Sequence, residues 1–242
     1  MFLIYGKTDI GKKRLINQDA FAFGKEKDKL WVVVCDGLGG ENAGEVASKT
    51  AVAYASDFIK ESIALTLDDN AVKQVVIESI KRANDAVLAK ANEDSKFSGM
   101  STTIVSMVLF NGILQAANVG DSRIYLISGG TAKQLTKDHS VVQVLLDSGQ
   151  ISPKEASKHP NKNCLVKVLG LKPKVIPSYA CCEITADDKI LICSDGLYSC
   201  VTKKEMIAVI EKCEIQKAVD ELVNLALVRG GNDNITVVLA KE

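Results

Sequence analysis

The chain has 242 residues, of which 47% are hydrophobic and 25% charged, the proportions of an ordinary globular protein and not of a disordered or fibrous one. Its 30 basic and 30 acidic side chains leave a formal net charge of +0. No overall field then draws nucleic acid or an anionic membrane, and neither is expected as a partner.

No apolar run approaches the ~20 residues of a membrane helix. The amino terminus puts Phe2 to Tyr5 ahead of its lysines, the reverse of a secretory signal. Seven cysteines occur without any Cys-x-x-Cys spacing, so reduced thiols packed as small core residues are expected in place of zinc or disulfides. These features predict a cytoplasmic protein, and without a linker-like stretch residues 1–242 read as one domain.

In chain order, a first short strand ends at Thr8-Asp9 and leads through a loop carrying Arg14 to Asn17-Gln18-Asp19, with Asp19 at the mouth of the alternating strand Ala20 to Phe23. Leu30 to Cys35 is a continuous apolar run that reads as a strand buried on both faces. It delivers Asp36 into a glycine-rich turn, Gly37-Leu38-Gly39-Gly40. Those glycines predict backbone conformations closed to other residues and peptide groups open to a small ligand. A helix is predicted from Ala43 to about Lys60. Asp68-Asp69-Asn70 supplies helix-start chemistry for a second, whose stripe Val72, Val76, Ile80, Ala83 and Val87 reads as core packing to about Ala91.

From Gly99 the pattern turns to strands. Ser101 to Phe110, Asn111-Gly112 and Ile113 to Val119 form a strong hairpin signal. Asp121 occupies the next turn, before a strand from Ser122 to Ile127, and Gly129-Gly130 makes another. After Asp138-His139-Ser140 an apolar segment runs to about Gly149, and Ser152-Pro153 opens a short helix. The lysine-bearing, proline-punctuated stretch that follows predicts a mobile surface lobe. The only histidines, His139 and His159, have little around them and read as structural or exposed. Lys189 to Cys193 followed by Ser194-Asp195-Gly196-Leu197 repeats the earlier apolar strand and its Asp-Gly-Leu. Thr202 to Glu205 is a capping box. A helix from about Ile215 to Val228 and a strand from Ile235 to Ala240 close the chain, with Asp233 at the strand's mouth.

Asp19, Asp36, Asp121, Asp195 and Asp233 therefore each sit where an apolar strand meets a turn. If those ends converge, an uncompensated carboxylate cluster is strongly unfavourable, and divalent metal resolves it. Oxygen donors without His or Cys at ligand spacing favour Mg²⁺ or Mn²⁺ over zinc, and no EF-hand pattern points to calcium. Two such ions bridged by one carboxylate lower the pKa of a water and admit a phosphate to acidic surroundings. Arg14, with two donors for phosphate oxygens, then gains a role.

Arg14-x-x-Asn17-Gln18-Asp19, Cys35-Asp36-Gly37-Leu38-Gly39-Gly40, Ser98 to Thr103, Asn118 to Arg123, Leu135 to Ser140, Ser194 to Leu197 and Gly231 to Asn234, in register over nearly the whole chain, resemble the bacterial metal-dependent, type 2C serine/threonine protein phosphatases. The resemblance implies an α+β fold, a four-layer α-β-β-α arrangement with a central antiparallel β-sandwich flanked by helices and a two-metal centre at one end. By position, Asp36 would bridge two Mn²⁺ or Mg²⁺ ions and the Gly37 carbonyl would bind one. Asp195 and Asp233 would bind the other, and Asp19 would act through metal-bound water. Asp121 and Asp195 would hold a weaker third ion, Arg14 would bind the substrate phosphate, and residues from about 148 to 177 would form the family's flap. Phosphorylated proteins, with a serine/threonine kinase and its substrates, are the implied partners of an expected monomer.

This sequence departs from the family at two positions. Many bacterial relatives carry histidine where this chain has Glu41, and animal members carry histidine where it has Leu38, so the proton donor to the leaving oxygen is left unassigned. An aspartyl-phosphate mechanism is disfavoured because position 38 is not a second aspartate. A phosphatase-like binding module is disfavoured because all the implied metal positions are intact.

Overall fold

The computed structural model describes residues 2–39, 43–65 and 68–242. Gly40 and Glu41, named above for the turn and for the departure from the family, lie outside the described residues. Two antiparallel sheets stack face to face, each covered on its outer side by helices. The first holds β2 (Asp19–Glu26), β3 (Lys29–Leu38), β5 (Ile104–Phe110), β6 (Ile113–Val119) and β9 (Ser178–Glu183) in that order, with β4 (Ser101–Thr102) continuing on β3. The second runs β1 (Leu3–Asp9), β11 (Ile235–Lys241), β10 (Lys189–Cys193), β7 (Arg123–Ser128) and β8 (Thr131–Gln134). Helices α1 (Ala43–Ile63) and α2 (Asp69–Glu93) cover the first sheet. Helices α6 (Lys203–Lys212) and α7 (Ile215–Val228) cover the second.

The period-2 alternation of the strands sets these layers. In β3, Leu30, Val32 and Val34 face the sandwich interior with Ile190 and Ile192 of β10 and Val238 and Ala240 of β11. Trp31, Val33 and Cys35 face the other way, onto Ala47, Ala51 and Ala55 of α1. β3 is thus buried on both sides, as its unbroken apolar run predicts. Asp68 caps α2 by accepting from the Ala71 amide at 2.9 Å. Glu205 accepts from the Thr202 amide and hydroxyl at the start of α6, so the predicted capping box is present.

Several details differ from the sequence reading. The strand expected over Ser101 to Phe110 is interrupted at Thr103, with its register against β3 carried across. β9 gives no alternating apolar signal because it is an edge strand with half-exposed residues. Cys35 and Cys193 are buried as expected, whereas Cys164 and Cys181 are exposed; all seven thiols are free. Two helices, α3 (Val141–Asp147) and α4 (Pro153–Ala156), lead into the lysine-bearing lobe, which is irregular to residue 177. It is not loose throughout, because Leu165 bridges Ser140 and Leu169 bridges Thr102.

Candidate active site

The acidic residues come together at one end of the sandwich, where β2, β3, β10 and β11 and the turn before β7 meet. Asp19 and Asp36 are direct cross-strand partners on β2 and β3. Like charges placed opposite one another destabilise a sheet unless something compensates them. Asp195 starts the short helix α5 (Asp195–Tyr198) directly after β10, and Asp233 precedes β11.

Close backbone approach brings the two strand-end turns together, and glycine makes it possible. A Cβ on Gly196 would lie 1.9 Å from the Asn234 carbonyl oxygen, and one on Gly37 would lie 2.1 Å from that of Gly44. Neither glycine has positive φ; of the described glycines in the Asp36 turn only Gly39 does, at +124°. The two Asp-Gly pairs therefore need glycine for space, and of the special backbone conformations expected at Gly37 and Gly39 only the one at Gly39 is found.

Asp19 is buried, and both hydroxyls near it serve one oxygen. Ser194 Oγ and Thr236 Oγ1 each donate to Oδ2 at 2.7 Å. Thr236 in turn contacts Thr8 Oγ1 at 2.7 Å. Asn17 Nδ2 donates to Thr8 at 2.9 Å, and Asn17 Oδ1 accepts the Asp19 amide at 3.1 Å, closing a ring. Among the described residues, Oδ1 of Asp19 is left buried without a partner, as is Oδ1 of Asp195. Unpartnered buried carboxylate oxygens are costly, so each calls for a cation.

The backbone of Asp36 is clamped by the Ser-Thr-Thr segment. Its amide donates to Thr103 Oγ1 at 3.0 Å, and its carbonyl accepts from the Thr103 amide at 2.8 Å and Thr102 Oγ1 at 2.9 Å. Asn234 fixes the loop that bears Arg14, accepting from the Gln18 amide and donating to the carbonyls of Ile10 and Ile16. Tyr198 donates to Asp121 Oδ2 at 3.1 Å, and the Arg123 guanidinium lies 3.6 Å from the Tyr198 ring while gripping Asp138. Sequence reasoning gave none of these supports a role. The available signal was a polar residue in an otherwise apolar strand or beside each aspartate, as at Thr236, Ser194 and Asn234.

The charges feel one another. Burial, then Asp19, Asp195, Asp121 and Asp233, hold the Asp36 carboxyl well above the ordinary value. Burial and then Asp121, Asp233 and Asp19 raise Asp195, with Arg14 opposing. Burial raises Asp19 against its two hydroxyl donors. Asp121 is pushed up to about 6 by burial and Asp138. Arg14 is exposed and donates from Nε and Nη2 to the two oxygens of Asp233, both at 2.8 Å.

Among the described residues, no three His, Cys, Asp or Glu side chains are arranged to hold a metal ion as they stand. The reason is visible in their partners: Asp233 is turned onto Arg14, Asp121 onto Tyr198, and Asp19 Oδ2 onto Ser194 and Thr236. The two unpartnered oxygens and the all-oxygen donor set nevertheless fit a hard divalent cation. Beside this end of the sandwich, Asp121 and Asp195 line a cleft of about 340 Å³ whose other wall includes Ser157, Lys162 and Asn163.

A four-layer sandwich with coupled aspartates and an arginine at one end has the architecture of a phosphoprotein phosphatase, a hydrolase of phosphoric monoesters. A family model described as protein phosphatase 2C matches residues 8–229, and the chain belongs to that family. The serine/threonine phosphatase stp of Listeria innocua is 38% identical over 238 residues, covering 98% of this chain and 94% of the relative. The crystal structure of the serine/threonine phosphatase Stp1 from Staphylococcus aureus superposes with a TM-score of 0.91 at 34% identity, over 100% of this chain and 95% of that one. The catalytic domain of the serine/threonine protein phosphatase PstP in complex with two manganese ions superposes with a TM-score of 0.86 at 29% identity, over 99% and 97% of the two chains.

Proposed function

We propose that this phosphatase removes phosphate from phosphoserine and phosphothreonine in proteins with the aid of two divalent ions, Mn²⁺ or Mg²⁺. Asp36, the Gly37 carbonyl, Asp195 and Asp233 would hold them, Asp19 would act through bound water, and Asp121 with Asp195 would take a weaker third. The observation that carries this reading is the pair of buried carboxylate oxygens, on Asp19 and Asp195, that no donor among the described residues satisfies. The manganese ions bound by PstP support it. When bound, such ions supply an activated water and screen the phosphate from the surrounding carboxylates.

The chain's own residues prepare the rest. Thr102 and Thr103 fix the Asp36 backbone, while Ser194 and Thr236 occupy one face of Asp19 and leave the other for the site. Arg14 carries two parallel donors whose spacing, shown on the Asp233 carboxylate, also suits two phosphate oxygens. The seven free cysteines support a reducing, cytoplasmic setting. No helix among the described residues is long and apolar enough to cross a membrane. A serine/threonine kinase and its substrates are the partners this activity would oppose. Phosphate release from a phosphothreonine peptide tests the reading: release with Mn²⁺, lost with chelator and in Asp36→Asn, supports it, and release that survives both treatments overturns it.

A further inference from the structure

Residues 165–176 border a groove of about 420 Å³ lined by Val166, Leu171 and Ile176 together with Lys167, Lys172 and Lys174. The three apolar side chains are 49%, 54% and 66% exposed. Among the described residues no acidic side chain lines the groove, and none of the three ammonium groups has an ion-pair partner. In a chain with no net charge, this unpaired basic cluster contrasts with the acidic cleft at the aspartates.

The groove is also preformed. Leu169 and Thr102 exchange backbone hydrogen bonds of 2.8 and 3.3 Å, and the His139 carbonyl accepts the Val166 amide at 2.8 Å. The buried Asn84 of α2 accepts from the Gly170 amide and donates to the carbonyls of Lys172 and Pro173. A groove held in this way costs little to order on binding.

Its position links it to the site. Thr102, the partner of Leu169, donates its hydroxyl to the Asp36 carbonyl. Lys162 and Asn163, just before the groove segment, line the cleft with Asp121 and Asp195. One stretch of chain therefore walls both cavities.

We infer that this groove docks an acidic segment of the phosphoprotein, bearing apolar side chains and lying outside the phosphorylated residue itself. The inference rests on the phosphatase reading above and adds the character of the substrate to it. Exposed apolar side chains meet apolar ones, and carboxylates meet the unpaired lysines. An anionic membrane also suits a basic apolar surface, but the stretch of chain that runs from the cleft wall at Lys162 and Asn163 into the groove favours a polypeptide that reaches both.

The test uses the Mn²⁺-loaded enzyme and Lys172→Glu/Lys174→Glu, two exposed substitutions that leave the core intact. Substrates are a small aryl phosphate, a phosphothreonine peptide flanked on both sides by Glu and Leu, and the same peptide with Lys for Glu. The wild type is expected to prefer the acidic peptide by about tenfold in kcat/KM, carried by KM, the sum of a few exposed ion pairs. The double variant loses that preference, high salt erases it in the wild type, and aryl phosphate turnover is the same in both proteins. Fluorescence anisotropy reads docking of the peptides without turnover. Equal binding of both peptides, or a preference the variant retains, overturns the groove. Binding to phosphatidylserine vesicles that the variant abolishes, without any peptide preference, assigns the surface to a membrane and also overturns it. Failure of the wild type to hydrolyse even the aryl phosphate refutes the phosphatase reading instead.

Discussion

Arg14 grips Asp233 with two parallel hydrogen bonds of 2.8 Å, from Nε to Oδ1 and from Nη2 to Oδ2. The guanidinium thus stands where a metal-binding carboxylate is proposed, and the two uses of Asp233 compete. The Asp233 partner and the burial opposing it set the charge state of Arg14, whose pKa is raised, so its cation persists throughout the working range.

Arg14→Ala removes the competitor and the proposed phosphate grip together. The pair is half exposed, so stability changes by only ~0.2–1 kcal/mol. Mn²⁺ is expected to bind more tightly by calorimetry, while KM for a phosphopeptide rises. Unchanged affinity for Mn²⁺ would show that the ion pair does not restrain Asp233.

Asp195→Asn takes one charge out of a cluster in which Asp121, Asp233 and Asp19 all oppose its ionisation. Without metal, this variant is expected to melt higher than the wild type, because a buried carboxylate without a partner is costly. With saturating Mn²⁺ the order reverses and activity drops on the order of 100-fold or more, since lost charge stabilisation is worth several kcal/mol. Thermal melts with and without Mn²⁺ separate the two effects.

The raised carboxyls also set a pH dependence. Between the ordinary Asp value of 3.8 and the value of about 6 for Asp121, the folded chain holds a proton that the unfolded chain has released. Stability of the metal-free protein therefore falls as pH rises through this window, and the raised Asp36 and Asp195 extend the loss upward. Divalent metal removes the penalty, so stabilisation by Mn²⁺ is expected to be larger at pH 8 than at pH 5. A ligand at 100 times its Kd adds about 2.7 kcal/mol, which a melting curve resolves. A metal-induced shift independent of pH would contradict the coupling of these groups.

Gly196→Ala places a methyl 1.9 Å from the Asn234 carbonyl, where only backbone can yield. Overpacking of this kind costs ~1–3 kcal/mol, occasionally more. It also pushes Asp195 away from Asp233. Chemical denaturation is expected to show the loss of stability, and calorimetry a matching fall in Mn²⁺ affinity. A variant as stable as the wild type would mean that the two turns do not pack as described.

The strongest local signals in the chain were legible because they are short-range. The unbroken Leu30 to Cys35 run, the Asn111-Gly112 hairpin and the Thr202 to Glu205 box each follow from backbone geometry or solvation within a few residues. Edge strand β9 was not legible, since half-exposed residues impose no pattern. Nor was the anchoring of the lobe, because Asn84 and the Gly170 to Pro173 stretch it holds are far apart along the chain. The supports of the aspartates were hidden for the same reason. Thr103 meets Asp36, and Thr236 meets Asp19, only across strands.

By itself the sequence determined which residues carry charge and where the strands that bear the aspartates meet their turns, because hydrophobic periodicity and turn chemistry act locally. It thereby selected the five aspartates and Arg14 and the order in which they appear. Tertiary structure alone decided that the aspartates raise one another's pKa, that Arg14 rests on Asp233, and that two carboxylate oxygens find no donor among the described residues. Coulombic coupling and desolvation depend on distance and burial in space, which are set only once the sheets have stacked.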